Sequence, residues 1–332
     1  MNDVEQPFRV FSAADVRAAL PMEQAVAAMK VAFQELSAGA VAVPMRTHIE
    51  LPRHRADVLV MSCYSPELDR VGVKLIALHP ENVRRGLPFI RAFVLLVDAE
   101  TGTPLAVMDG AALTALRTGG ASGAATDALA RPDAARVAIF GAGIQAATQL
   151  EGVCAVRDIR LAAVYDPDHA RARAFADRMA RALRIETFAA ATPAAALADA
   201  DIVCTATTSG RAVFDDADLA PGAHINAIGA YKPHEREIPA ATVARARVVV
   251  DKVEAAWEEA GDLILARQEG AIAASHIHAE LGEVLAGKKP GRESAEQITL
   301  FKSVGIANQD LSAAQEVLAR ATALGLGATA AL

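Results

Sequence analysis

The stretch Arg136 to Asp166 constrains this chain most. Val137 to Phe140 is a short apolar, β-branched run of the kind that forms a buried strand. Gly141-Ala142-Gly143-Ile144-Gln145-Ala146 follows at once, and apolar residues then recur at helical spacing as far as Val156. Strand, glycine turn and helix together make the context in which a G-x-G-x-x-G/A pattern predicts a dinucleotide site. Gly141 permits the tight turn, Gly143 lets the backbone approach a pyrophosphate, and Ala146 lets helix and strand pack closely. The N–H groups of the helix start, around Ile144 and Gln145, attract phosphate together with the helix dipole. A second apolar run, Ile159 to Tyr165, ends in Asp166, 20 residues beyond Ala146. A carboxylate there accepts from the ribose hydroxyls of NAD(H) and repels the 2′-phosphate of NADP(H). NAD(H) is therefore the expected cofactor, with NADP(H) left open by the basic Arg171 nearby. The plain alternative is a glycine turn that binds nothing, with Asp166 capping the next helix.

Beyond this stretch, strand-like and helical segments alternate: helices at Pro167–Leu183 and Pro193–Leu197, strands at Ile202–Ala206, His224–Ile228 and Val248–Val250. That alternation predicts a doubly wound parallel sheet. The N-terminal part reads differently. Two short helices, one capped by Ser12 and one opened by Pro21 and ended by Gly39, precede four strand-like runs between Val41 and Asp98. A turn at Asp98–Pro104 leads into LAVMDG, which implies a largely antiparallel sheet. Leu113 to Leu129 is expected to become helical after its glycines, opening near Arg117 and bridging the two parts, and Leu311 to Leu324 to return to the first. The expected fold is α/β. It comprises a Rossmann-type domain over 117–310 and an α+β domain over 1–116 plus 311–332, the latter for substrate binding and dimerisation.

Composition narrows the function. Of 332 residues, 53% are hydrophobic and the formal net charge is −7, with no basic block, so nucleic acid is not an expected partner. No apolar run is long enough to span a bilayer, and the polar opening MNDVEQPFRV lacks the apolar core of a secretion signal. Three widely spaced cysteines, Cys63, Cys154 and Cys204, read as reduced residues of a cytoplasmic protein. No metal site is expected, since His276 and His278 lack a third ligand nearby.

Three cations are candidates for a carboxylate-bearing substrate: Arg46 and Lys74 on strand-like runs, and Arg117. Lys74 stands in an otherwise apolar strand, where an inward-facing ammonium must meet an anion. The commoner fate of such a lysine is to face outward.

The segments GVKLIALHPENVRRGLP (72–88), VLLVDAETGTPLAVMDGAALTALRTGGASGAAT (94–126), the GAGIQA turn, HINAIGA (224–230) and TLFKSVGIANQD (299–310) resemble the ornithine cyclodeaminase/μ-crystallin family. The resemblance runs over nearly the whole chain. It implies a homodimeric NAD(P)-dependent enzyme acting on small amino or imino acids. It implies that Arg46, Lys74 and Arg117 bind the substrate carboxylate, and that Thr118 lies near the cofactor phosphates. Thr205, Ala206 and Thr207, with Ala227 and Gly229, correspond to loops lining the cofactor. Ser303, Val304 and Gly305 correspond to the segment near nicotinamide and substrate. Ornithine cyclodeaminases carry an aspartate after the I-G-A turn, and here that position is Tyr231. A phenol is neutral at pH 7 and does not pair with an ammonium as a carboxylate does. Glu235 and Glu237, further along the loop, are the carboxylates that would have to substitute. The expected activity is therefore NAD(P)H-dependent reduction of cyclic ketimines such as 1-pyrroline-2-carboxylate, with Lys74 and Tyr231 as catalytic candidates. Ornithine cyclodeaminase, alanine dehydrogenase and a non-catalytic cofactor-binding protein are the alternatives.

Overall fold

The structure, a computed structural model, describes residues 8–331. Most of the polar opening segment, residues 1–7, lies outside the described residues. The chain divides into two compact units, one of residues 1–117 and 306–332 and one of residues 118–305.

The first unit opens with β1 (Phe8–Phe11), α1 (Ala13–Ala19) and α2 (Met22–Ser37). Ser12 and Asp15 form a reciprocal capping box at the start of α1, and Pro21 caps α2. Strands β2 (Thr47–Leu51), β3 (Ala56–Ser65), β4 (Arg70–Leu78), β5 (Ile90–Asp98) and β6 (Pro104–Asp109) follow as an antiparallel meander. The period-2 pattern buries Gly72, Lys74, Ile76 and Leu78 on one face of β4. Lys74 stands opposite Met61 on β3 and Val94 on β5, both buried. Arg46 precedes β2 rather than lying on it, because pairing with β3 begins at Thr47.

Helix α3 (Gly110–Leu129) starts before the glycines, not after them, and runs through Gly119, Gly120 and Gly123. Arg117 is thus an interior residue of the helix rather than its opening. The glycines are there for approach. A Cβ at Gly119 would collide with the backbone carbonyl of Thr148 and come within 2.9 Å of its Cβ.

The second unit contains β7 (Arg136–Phe140), α4 (Ile144–Cys154), β8 (Leu161–Tyr165), α5 (His169–Leu183), β9 (Glu186–Ala189), α6 (Pro193–Leu197) and β10 (Ile202–Thr205). Next come β11 (His224–Ala227), α7 (Ala240–Arg245), β12 (Arg247–Val250), α8 (Val253–Glu259), α9 (Gly261–Gln268), β13 (Ile277–Glu280), α10 (Leu281–Leu285) and β14 (Thr299–Lys302). The eight strands described here form one parallel sheet in the order β13-β12-β14-β11-β10-β7-β8-β9. Strand order reverses beside β7, and the glycine turn leaves its C-terminal end, where open α/β sheets place ligands.

The chain returns to the first unit with α11 (Ala307–Ala323) and β15 (Ala328–Ala330). Helix α11 packs on β3, β4, β5 and α2, covering the face that carries Lys74. Strands β1 and β15 extend the meander to the order β15-β1-β6-β5-β4-β3-β2. The β1–β6 pair is parallel, so the sheet is antiparallel only in the main. Its other face keeps Val60, Val73, Leu75 and Leu95 only half-buried and leaves Phe93 44% exposed.

Gly119→Ala is expected to lower stability by about 1–3 kcal/mol through overpacking against α4. Thermal denaturation reads this directly, and an unchanged Tm would mean that the helices separate without cost.

Candidate active site

In the first unit, three elements converge on one buried acid. Asp310, at the start of α11, accepts from Lys74 Nζ at 2.6 Å and from Arg117 Nε at 3.0 Å. The Lys74 side chain is 2% exposed and that of Asp310 3%. Arg117 Nη1 also donates to Gln309 Oε1 at 2.8 Å, and the buried Gln309 Nε2 has no acceptor among the described residues. The anion required by the inward-facing lysine is thus supplied by the chain itself. Two cations still share one carboxylate, so the cluster keeps a net positive charge beside an unfilled donor. That combination suits a further carboxylate.

Burial lowers the Lys74 pKa to about 8; Asp310 opposes the shift, while Arg117 and Arg46 add to it. Burial disfavours the charged form of Asp310, but Lys74 and Arg117 outweigh it and hold the carboxyl below its usual range. Asp310 was not among the residues singled out from the sequence. It closes the GIANQD motif, and nothing in that spacing reveals its partner 236 residues away.

In the second unit, the glycine turn has the shape a pyrophosphate needs. Gly141 takes φ +96°, and a Cβ there would lie 2.6 Å from the Ala206 carbonyl oxygen. Gly143 caps α4 with no side-chain hydrogen bond, and Ile144 in the first turn is 69% exposed. Ala146 is fully buried against the sheet core. This helix start therefore presents N–H groups to an anion. Asp166 accepts from Ala142 N through Oδ2 and from Asp168 N through Oδ1, each at 3.0 Å. Asp168, not Asp166, caps α5. Arg171 Nε lies 3.8 Å from Asp166 Oδ2, and an Arg171 guanidinium nitrogen stands 3.5 Å from where a Gly143 Cβ would be. Acid and base thus flank the turn together, and the donor set fits a dinucleotide.

The loops after β10 and β11 meet on Glu237. Its carboxylate accepts from Thr205 Oγ1 (2.9 Å), Thr207 N and Oγ1 (both 2.7 Å), Gly229 N (2.7 Å) and Ala230 N (3.3 Å). Glu237 is fully buried, with both oxygens engaged, so it does not stand in for the missing aspartate as an amine ligand. The Tyr231 ring lies one residue beyond Ala230, partly buried, with Lys232 Nζ 5.9 Å from its centroid.

Ser303 Oγ, Val304 N and Gly305 N all donate to Asp251 Oδ2, at 3.0, 2.8 and 2.8 Å. Thr118 is buried, and its carbonyl accepts from Gln149 Nε2 of α4. Ala227 is buried at the end of β11. Sequence reasoning missed Asp251 and Asp262 as well as Asp310. All three are buried; Asp251 follows the apolar run Val248–Val250, whereas Asp262 and Asp310 stand among small and polar residues that give no local signal. No group of three or more metal-ligating side chains occurs among the described residues.

Comparison with known proteins bears on this arrangement. Residues 8–324 match the model of the ornithine cyclodeaminase/mu-crystallin family. A Delta(1)-pyrroline-2-carboxylate reductase of Bacillus cereus is 39% identical over 319 residues, covering 96% of this chain and 98% of that one. The structure of Thermococcus litoralis Delta(1)-pyrroline-2-carboxylate reductase in complex with NADH and L-proline superposes with a TM-score of 0.94. It is 41% identical and covers 97% of this chain and 100% of that one. An archaeal alanine dehydrogenase dimer with bound NAD gives a TM-score of 0.91 at 33% identity, covering 98% and 99% of the two chains. A cation cluster built around Asp310 and a dinucleotide turn on a parallel sheet thus accompany similarity along the whole chain, which belongs to the ornithine cyclodeaminase/mu-crystallin family.

Proposed function

We propose that this protein is an NAD(P)H-dependent reductase of cyclic ketimines, converting 1-pyrroline-2-carboxylate or its six-membered homologue to the cyclic amino acid. The observation that carries the reading is the buried Lys74–Asp310–Arg117 cluster, whose excess positive charge suits a small carboxylate. Its likeness to two reductases of pyrroline-2-carboxylate supports the same substrate class. Tyr231 in place of an acid favours imine reduction over ornithine cyclisation, because a preformed imine brings no side-chain ammonium to be held.

Arg46 and Arg117 grip the substrate carboxylate. Lys74, held in place by Asp310, supplies the proton that the ring nitrogen takes up as the C=N bond is reduced. A bound reduced nicotinamide would supply the hydride. Thr118 and the Gly141–Ala146 turn would hold the phosphates, Asp166 the adenosine ribose, and Thr205–Thr207, Ala227–Gly229 and Ser303 the rest of the cofactor's length, with Val304 and Gly305 on the substrate side. Tyr231 shields the imine ring.

Purified protein mixed with NADH and 1-pyrroline-2-carboxylate should consume NADH. The reaction needs the lysine as ammonium. With a pKa of about 8, that form is present below this pH and lost above it. kcat/KM for the imine should therefore hold up to about pH 8 and then fall roughly tenfold per unit. Lys74→Met should lower kcat/KM at least about a hundredfold, on the order of 3 kcal/mol, and leave NADH affinity nearly unchanged. A Met variant with wild-type turnover would remove Lys74 from the chemistry.

The cofactor preference rests on Asp166. Its carboxylate already accepts two backbone N–H bonds beside the glycine turn, and a carboxylate there favours NADH by accepting from the ribose hydroxyls and repelling a 2′-phosphate. With Asp166→Ser, Arg171 is left to meet a 2′-phosphate, and the ratio of kcat/KM values should move toward NADPH. A wild type that strongly prefers NADPH would contradict this placement.

The half-buried apolar face of the first unit's sheet, with Val73, Leu75 and Phe93, is the surface on which we place a homodimer. Sedimentation should find a dimer at micromolar concentration and Leu75→Asp should shift it toward monomer. A wild-type monomer throughout that range would rule the dimer out.

A further inference from the structure

Glu237 draws all its side-chain donors from two loops. Thr205 ends β10 and Thr207 lies in the turn after it, and Gly229 and Ala230 belong to the turn after β11. The loops run so close that a Cβ at Gly229 would lie 2.5 Å from the Thr207 carbonyl oxygen. Behind Glu237 stands a second buried acid. Asp262 Oδ1 accepts from the backbone N–H groups of Glu237 (2.7 Å) and Ile238 (2.9 Å). Its Oδ2 pairs with Lys302 Nζ at 2.8 Å, both side chains being fully buried. Lys302 Nζ also donates to the Ala230 carbonyl. The peptide groups on either side of Ala230 are thus held from opposite directions, the N–H by Glu237 and the C=O by Lys302, and Tyr231 comes next in the chain.

Stability alone does not call for this. A buried ion pair contributes little net stability beside well-packed apolar residues of the same volume. What apolar side chains do not provide is fixed hydrogen-bond geometry at a peptide group. We propose that Glu237 and the Asp262–Lys302 pair are positioning residues: Glu237 holds the loops after β10 and β11 in register for the cofactor, and the pair, through the Ala230 carbonyl, sets the direction of Tyr231. The inference rests on the reading above, in which these loops line the cofactor and Tyr231 covers the imine ring.

The test uses the full-length protein and begins with the wild type. NADH affinity is measured by nucleotide fluorescence titration, and kcat and KM with 1-pyrroline-2-carboxylate. A wild type that neither binds NADH nor reduces the imine overturns the underlying reading, and this inference with it. Given an active wild type, Glu237→Gln sets an amide N–H₂ against N–H and O–H donors while keeping the volume. It should raise the NADH Kd and lower kcat, each at least about tenfold, with imine KM within about twofold. A Gln variant with native circular dichroism and wild-type values for both overturns the proposal.

The double variant Asp262→Asn/Lys302→Met removes both charges of the pair together and tests the same idea should Glu237→Gln not fold. It should lower kcat about tenfold in the wild type and have no further effect once Tyr231→Ala is present. A loss that simply adds to that of Tyr231→Ala would mean that the pair serves the fold and not Tyr231.

Discussion

The Asp310 carboxylate is the constraint on which the first unit depends. It is the point where a strand, a helix and the returning C-terminal helix share one buried charge. Remove the acid and two cations face each other across an apolar face, at a cost that a small domain does not absorb. Keep it and the register of α11 against β4 is specified by a 2.6 Å contact rather than by hydrophobic packing alone. The same contact fixes the Lys74 ammonium to one position and lets burial tune it toward neutral pH. Structure and chemistry thus draw on one interaction. Asp310 favours the charged lysine, while burial and the neighbouring Arg117 favour the neutral amine, and the balance sets its pKa.

The second unit applies the same device at the ends of its parallel strands. Asp166 follows β8, Asp251 follows β12, and Glu237 spans the turns after β10 and β11. Each carboxylate accepts backbone N–H groups from a loop that would otherwise leave buried donors unmade. Parallel strands end together on one edge, so their loops collect there, and acids at that edge hold them to the sheet. Glycine does the complementary work. At Gly141 and Gly229 a Cβ would press on a neighbouring carbonyl, so the loops stack more closely than side chains permit.

Much of this was legible in the sequence because its signals are local. The glycine turn, the alternation of strands and helices, the caps at Ser12 and Pro21 and the hairpin after Asp98 depend on residues close in the chain. The inward direction of Lys74 also followed from period-2 alternation. What escaped depends on long-range pairing. β1 and β15 are four and three residues long and form by distant pairing, β1 with β6 and β15 with β1. α3 looked interrupted by glycines because propensity penalises them, whereas contact with α4 selects them. Asp310 and Glu237 are ordinary acids in sequence. Their roles come from partners 236 residues away in one case and from two separate loops in the other.

The charge balance of the first unit bears on substrate class more than any single residue does. Lys74 and Arg117 carry two positive charges against the one of Asp310, and Arg46 adds to the field that Lys74 feels. A neutral ligand would leave that excess uncompensated in a place water reaches poorly, whereas a monocarboxylate brings it closer to balance. A diamino acid would arrive with a second ammonium and need an acid to receive it. Of the two carboxylates further along the loop after the I-G-A turn, Glu237 is fully engaged with backbone and hydroxyl donors and Glu235 lies beside His234, and the aspartate position itself is Tyr231. A ring that carries one carboxylate and an imine nitrogen asks for a cationic grip and one proton, and a cluster with one positive charge in excess matches that demand better than it matches a neutral or dicationic ligand.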